Sequence, residues 1–377
     1  MITRPYWIEK IEDAWSKVPI AWLSGVRRVG KTTLSRSFAN AEYCNCDLPS
    51  VARRLEEPEQ FFSAIKSPTV IFDEIHQLGD PSRILKIGAD AYPHLRILAT
   101  GSSTLAASAK FRDTLTGRKR TIHMLPVLAE ELHTFGIADI QTRLLRGGLP
   151  DALLADVLDE SLYSEWMDSY FARDVQELFR VEKRAGFLRL LQLLLLNSGS
   201  VTEITGLAKH SGLTRPTVMN YIDVFQATQA MTVLSPYSAG GRREIIAQKK
   251  IYGFDTGFVA FTRGWNELSS EDCGILWEHL VLEALQSFVD ESKLHYWRDQ
   301  QHREVDFVVP NGRDAVDAIE CKWSAAAFDT KGLRAFRENY PNGRNFLVTP
   351  EQGEPYQKSV NGLAVTVATA AHLRQLV

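Results

Sequence analysis

Cysteine is scarce in this chain. Its 377 residues hold four, Cys44, Cys46, Cys273 and Cys321, and no two stand in a C-x-x-C pair. Four is too few for a disulfide framework, so a reducing cytoplasm is the expected compartment. Cys44 and Cys46 have no second Cys or His pair nearby, which makes them two small buried thiols in a strand rather than zinc ligands. Long apolar runs are missing too. The longest block, Leu188 to Leu196, is interrupted by Arg189 and Gln192 and is too short to span a bilayer. It reads as a buried helix, and no membrane partner is expected. Arg4, Glu9, Lys10, Glu12 and Asp13 break up any apolar stretch near the start, so no signal peptide is expected. Nor is there an excess of one charge. The chain holds 43 Lys and Arg against 46 Asp and Glu, a net charge of −3. That excludes a globally basic nucleic-acid coat and leaves room for a local patch. With 45% hydrophobic and 24% charged residues, the composition is that of an ordinary globular protein, and the length predicts two or three domains.

What is present centres on Gly25-Val26-Arg27-Arg28-Val29-Gly30-Lys31-Thr32, which fits the phosphate-loop pattern G-x4-G-K-[ST]. Ile20 to Leu23 reads as a short buried strand before it, and Thr33 to Asn40 as a helix after it. Strand, glycine-rich loop, helix is the setting the motif requires. Gly25 and Gly30 let the backbone curl so that N–H groups point inward at phosphate. Lys31 places a positive charge on the β- and γ-phosphates, Thr32 offers a hydroxyl to Mg²⁺, and the helix N-terminus adds its partial charge. The expected ATP contacts are Gly25, Val29, Gly30, Lys31, Thr32 and Thr33.

The surrounding segments fit a nucleotide module. Pro5 to Lys17 reads as an amphipathic helix, Glu42 to Asp47 as a second strand, and Ser50 to Ile65 as charged helix. Thr69-Val70-Ile71-Phe72-Asp73-Glu74 is an apolar strand ending in two carboxylates, about 40 residues after the loop. Asp73 would hold Mg²⁺ and Glu74 would polarise the attacking water. His76 reads as a surface-loop histidine. Leu95 to Thr100 is another strand, followed by Gly101-Ser102-Ser103. Small polar residues there fit a sensor of the γ-phosphate or the water, with Ser102 the catalytic candidate. In Leu115-Thr116-Gly117-Arg118-Lys119-Arg120, Arg118 is either an arginine finger acting on a neighbouring subunit or part of a solvated basic loop.

The order GVRRVGKTTL, VIFDEIH, ATGSS, LTGRKR, LPVLAEEL, GGLP resembles the AAA+-type ATPases of the large prokaryotic "ATP-binding protein" family. The resemblance implies a parallel sheet with flanking helices, ATP and Mg²⁺ as cofactors, and a homo-oligomer. A glutamine is common in that family where this chain has Arg28, so no role passes to that position.

Gly147-Gly148-Leu149-Pro150 reads as punctuation between domains. Asp151 to Phe179 then reads as helix, with Tyr163, Trp166, Tyr170 and Phe171 as anchors. Thr202 to Ile222 has the shape of a helix-turn-helix, with Gly212 at the turn, Thr214 as cap and Pro216 in the first turn of the second helix. Ala230 to Pro236 and Glu244 to Ala247, around Gly240-Gly241-Arg242-Arg243, would form the wing. Residues 183–250 hold nine Lys and Arg against three Asp and Glu. The candidate DNA contacts are Arg215, Thr217, Asn220, Arg242 and Arg243. A winged helix serving as a structural or protein-contact module stands as the alternative.

In the last third, a helix around Trp277-Glu278-His279 precedes the strands Glu304 to Val309 and Ala315 to Cys321. Asp306, Glu320 and Lys322 follow the spacing of the PD-(D/E)XK nuclease fold, which this region resembles. Asp306 and Glu320 can bind one Mg²⁺, or Mn²⁺, through carboxylate oxygens. Strand alternation puts Glu320 and Lys322 on one face, where Lys322 could orient or deprotonate a water. Glu278 is the expected third metal ligand, with Glu283 the fallback. A salt-bridged relic that keeps the fold for binding is the alternative. The expected architecture is thus α/β: an AAA+-like P-loop ATPase domain at 1–150, a helical linker and winged helix at 151–250, and a small restriction-nuclease-like domain at 251–377.

Overall fold

The computed structural model describes residues 2–101, 113–179, 181, 183–238, 248–351 and 353–377. The chain forms two compact units. One is Met1–Leu125 with Trp166–Arg180 and Ala227–Gln229; the other is Pro126–Glu165, Val181–Gln226 and Ala230–Val377.

The first unit is built on five strands: β1 (Ile20–Ser24), β2 (Ala41–Asn45), β3 (Thr69–Asp73), β4 (Arg96–Thr100) and β5 (Lys119–His123). Their order is β2-β3-β4-β1-β5, and every pairing is parallel. β1 and β3 are buried at every position. Such unbroken apolar runs mark strands covered on both faces, which parallel sheets require. Helix α1 (Pro5–Trp15) starts with proline in its first turn and buries Trp7, Ile11 and Ala14 at helical spacing. Phe61, Phe62, Ile84 and Leu85, all from helices, pack with Trp22 of β1 and Phe72 of β3 in one apolar cluster.

Two helices differ from expectation. The helix after the loop, α2 (Lys31–Ser35), is much shorter than Thr33 to Asn40. Ser37 closes it early, donating both its amide (3.0 Å) and its hydroxyl (2.7 Å) to Leu34 O. The segment 50–65 is two helices, α3 (Pro49–Arg54) and α4 (Pro58–Ala64). Pro58 lacks the N–H a continuous helix would need, and it opens the second one. A fifth helix, α5 (Pro81–Ala91), precedes β4.

The second unit holds a mixed nine-stranded sheet. Its strands are β6 (Ser200–Val201), β7 (Met231–Pro236), β8 (Lys250–Gly253), β9 (His295–Arg298), β10 (Glu304–Pro310), β11 (Val316–Cys321), β12 (Asn345–Val348), β13 (Tyr356–Val360) and β14 (Leu363–Ala368), in the order β13-β14-β12-β11-β10-β9-β7-β8-β6. The helix-turn-helix expectation is matched locally. Helix Ile204–Ser211 ends at Gly212 with φ +70°, and helix Arg215–Ala227 buries Val218, Tyr221, Ile222 and Phe225. The expected second wing strand and its turn lie at 239–247, outside the described residues. Among the described residues β7 pairs with β8, antiparallel, and with β9, parallel.

The expected domain limits at 150 and 250 are therefore not where the compact units divide. β7 and β8 continue into the sheet that carries β9 to β14, so position 250 lies inside one unit. Residues 126–150 also belong to this unit. Arg143 explains why: it is fully buried, its Nε donates to Val127 O at 2.6 Å, Nη1 donates to Thr256 Oγ1 at 2.9 Å, and Nη2 pairs with Glu283. Gly148 is not a linker residue but a packing constraint. Its amide donates to Asp255 Oδ2 at 2.6 Å, and a Cβ there would lie 2.5 Å from Arg143 Nη2. The single helix expected over Asp151 to Phe179 is four pieces: Pro150–Leu153, Glu160–Ser169, a π-helical turn Tyr170–Val175, and Gln176–Phe179. Among the described residues no helix is long and apolar enough to cross a membrane.

Candidate functional site

The strand order determines the first site. β4 lies between β1, which leads into the glycine-rich loop, and β3, which ends at Asp73. All three finish on one edge, where ligand sites of parallel α/β sheets form. The loop leaves β1 at Gly25, with φ +153°, where a Cβ would approach Met124 O to 2.6 Å. It enters α2 at Gly30, with φ +103°. Only glycine takes both positions without strain. Val29 is buried and its carbonyl accepts from Arg4 Nη1 at 3.3 Å, which fixes the base of the loop.

Lys31 Nζ donates to Gly25 O at 2.8 Å and Val26 O at 3.0 Å. The ammonium thus sits across the loop on neutral acceptors. Burial pushes its pKa down, while Glu74 and Asp174 pull the other way. Thr32 is half-buried and Thr33 exposed.

Asp73 is only 2% exposed. Its Oδ1 accepts from Thr100 Oγ1 at 2.6 Å and its Oδ2 from the Tyr43 hydroxyl at 2.5 Å. Burial, and then the bond to Asp73, raise the Tyr43 hydroxyl to about 12, so it remains a donor. Glu74 takes a left-handed conformation, φ +56°, which is uncommon for a residue with a side chain. Its amide donates to Thr100 Oγ1 at 3.0 Å, and its carboxylate lies 3.2 Å from His76 Nδ1. The Thr100 hydroxyl therefore joins the two acidic residues. The sequence reading places the polar sensor one step further on, at Gly101-Ser102-Ser103, and Ser102 lies outside the described residues. A threonine closing an apolar strand is the signal that could have singled out Thr100. His76, expected on a surface loop, is half-buried against Glu74. Arg118 forms a two-pronged pair with Asp90 of α5, at 2.6 and 3.0 Å.

The second constellation lies in the second unit. β10 and β11 pair antiparallel and bring Asp306 and Glu320 to one place. Lys322 Nζ is 3.3 Å from Asp306 Oδ2 and 3.1 Å from Glu320 Oε2, and Cys321 N donates to Asp306 Oδ2 at 2.8 Å. Burial, then the Asp306 charge, raise the Glu320 carboxyl to about 8. Burial alone would lower the Lys322 ammonium, but Asp306 and Glu320 outweigh it and raise it. Glu278 accepts from Lys250 Nζ at 2.6 Å and from the Tyr252 hydroxyl, and Lys250 also reaches Glu304 at 2.6 Å. Burial, opposed by Lys250 and supported by Asp306, raises the Glu278 carboxyl. Lys250 and Tyr252 are the partners that the sequence reading missed. Glu283 lies elsewhere, paired with buried Arg143. It is thereby assigned a structural partner. Among the described residues, no three His, Cys, Asp or Glu side chains converge closely enough to form a ready cage for a metal ion.

Of the candidate DNA contacts, Arg215 and Asn220 are exposed on helix Arg215–Ala227. Thr217 is half-buried, and its hydroxyl shares a 2.8 Å bond with Thr214. Arg242 and Arg243 lie outside the described residues.

Residues 17–133 match the family described as AAA domain. That segment holds the glycine-rich loop, Asp73 and Glu74, and is similar to an AAA domain. Residues 137–269 and 273–368 match two families described as domains of unknown function, DUF8612 and DUF4143. The uncharacterized proteins Rv2008c of Mycobacterium tuberculosis and Mb2031c of Mycobacterium bovis are each 27% identical over 312 residues, covering 80% of this chain and 69% of theirs. Among solved structures, the Hsp104–ADP complex of S. cerevisiae is 15% identical, over 76% of this chain and 43% of that one, with a TM-score of 0.31. That value supports no functional comparison.

Proposed function

We propose that this chain is a Mg²⁺-dependent ATPase whose hydrolysis is coupled to work on DNA. One observation carries the first half: the Thr100 hydroxyl joins Asp73 to the Glu74 main chain on the sheet edge where the loop bearing Lys31 begins. The loop amides and Lys31 bind the β- and γ-phosphates, and a charged phosphate oxygen replaces the two neutral carbonyls that Lys31 touches. The hard oxygen set of Thr32 and Asp73 fits Mg²⁺, which when bound offsets phosphate charge. Glu74 orients and polarises the attacking water. Thr100 keeps it in register with Asp73. Arg118 leaves Asp90 and reaches the γ-phosphate of a neighbouring subunit in a homo-oligomer.

The DNA half rests on exposed Arg215 and Asn220 and on the cluster of Asp306, Glu320 and Lys322. With Glu278, these carboxylates have the oxygen chemistry for Mg²⁺ or Mn²⁺, which would supply charge to offset a scissile phosphate. The raised Lys322 stays protonated at neutral pH, so it orients a water or steadies charge rather than taking a proton. A second reading is favoured by the pairing of Lys250 and Lys322 with these carboxylates, which can persist as a structural site. In it, the ATPase is a switch and its C-terminal segments bind a protein partner without cutting DNA.

ATP turnover separates the two. It should be measured with Mg²⁺ at low salt, alone and with single-stranded, duplex and branched DNA, because phosphate contacts weaken steeply as salt rises. Stimulation by one DNA form supports the first reading. Unchanged turnover with all of them contradicts it and favours the protein partner.

A further inference from the structure

Arg27 is the third residue of the glycine-rich loop and takes no part in the motif chemistry described above. Its Nε lies 3.0 Å from Asp174 Oδ2, with side chains 28% and 19% exposed. Its carbonyl accepts from Trp166 Nε1 at 3.0 Å. Both ends of this loop residue are therefore held by one segment, Trp166–Arg180, of the same compact unit. Trp166 stacks on Tyr170 at 5.0 Å, and the Tyr170 hydroxyl bonds Thr228 Oγ1 at 2.6 Å, so the segment is itself anchored.

We propose that Arg27 reads the γ-phosphate of ATP by exchanging its partner, Asp174, for a phosphate oxygen. The proposal rests on the nucleotide reading of the loop. Asp174 puts a carboxylate beside a loop that gathers positive charge. Lys31 feels that carboxylate as its second-largest favourable charge, after Glu74. A carboxylate there occupies the role of an anion that the loop is built to receive. The Arg27–Asp174 contact is a single prong, whereas guanidinium and phosphate can engage through two parallel bonds, and the phosphate carries more charge. ATP therefore competes well for Arg27, and ADP, lacking the terminal phosphate, does not.

The exchange has a mechanical consequence. Asp174, left without Arg27, faces a phosphate of its own sign. It lies in the π-helical turn Tyr170–Val175, a rare geometry that concentrates at functional sites and can relax to an ordinary helix. Repulsion at Asp174 then favours a second position of that turn, so ATP and ADP states differ in the segment that holds Trp166.

The test is equilibrium binding of Mg²⁺-ATPγS and Mg²⁺-ADP to the full chain by calorimetry, with melting temperatures checked for each variant. Arg27→Ala should weaken ATPγS by about tenfold or more and change ADP by less than about twofold. Arg27→Lys should recover only part of the loss. Asp174→Asn should tighten ATPγS several-fold, because the competing carboxylate is gone, and leave ADP unchanged. Equal loss of both nucleotides in Arg27→Ala, or weaker ATPγS binding in a folded Asp174→Asn, would overturn the exchange while leaving the nucleotide site intact. If the wild type binds neither nucleotide, the nucleotide reading itself fails, and the proposal with it.

Discussion

The Thr100 hydroxyl donates to Asp73 and accepts from the Glu74 amide, so one side chain sets the geometry of both acidic residues. Thr100→Val keeps the shape and removes both bonds. It should slow ATP turnover by about tenfold or more and cost about 1–3 kcal/mol of stability, read from steady-state hydrolysis and urea unfolding. Full activity would remove Thr100 from the site. If the second-unit cluster is a live nuclease site, divalent-dependent DNA cleavage should be lost in Asp306→Ala and in Lys322→Ala, with ATP turnover left in place. Cleavage that survives both changes would assign it to another site or a contaminant. Lys31, Asp73, Glu74, Asp306, Glu320 and Lys322 stand out as candidates in the sequence because their spacing is local: a loop, two strand ends, a strand pair. Thr100, Tyr43, Lys250 and Asp174 do not. Their importance comes from which strands and turns lie side by side, and no spacing along the chain encodes that.

The long helix Ser270–Gln286 carries two glutamates into different surroundings. Glu278 faces Lys250 and Tyr252, and Glu283 faces Arg143. Five residues is well off a helical repeat, so the two cannot share a partner. Glu283→Ala leaves a buried guanidinium uncompensated and should cost about 3–5 kcal/mol in urea unfolding. Glu278→Gln should cost clearly less, since glutamine still accepts from Tyr252 and Glu304 keeps Lys250 paired. Equal costs would contradict the division of labour drawn from this helix. The sequence reading prefers Glu278 and keeps Glu283 as the fallback; that Glu283 pairs with Arg143 depends on a partner 140 positions away, which the helix pattern does not encode. Helix limits escape the sequence pattern for a similar reason. The stop after Ser35 depends on Ser37 bonding back to Leu34, and the π turn at 170–175 leaves no mark in an apolar pattern.

The molecule as a whole departs most from what composition and punctuation suggest. Gly147-Gly148 reads as a linker, yet Gly148 packs between Arg143 and Asp255 within one unit. The supposed wing strand β7 is shared with the C-terminal sheet through β9. Glycine marks a tight backbone approach as readily as a boundary, and a hairpin strand can extend a neighbouring sheet. In the parallel sheet, β1, β3 and β4 are legible as short apolar runs, whereas β5 (Lys119–His123) is largely exposed and polar and begins where the sequence reads a basic loop. Arg118 belongs at this scale, because its pair with Asp90 must open for it to act on another copy. Turnover should then rise faster than linearly with protein concentration, and Arg118→Ala should abolish that rise. Strictly proportional activity in a demonstrated monomer would exclude a role between subunits. The most direct measurement is Mg²⁺-ATP hydrolysis by the pure chain beside Lys31→Ala. The proposed mechanism requires turnover in the first and a loss of about 100-fold or more in the second, at an unchanged melting temperature. Equal turnover in both would contradict the assignment of this loop as the catalytic phosphate site.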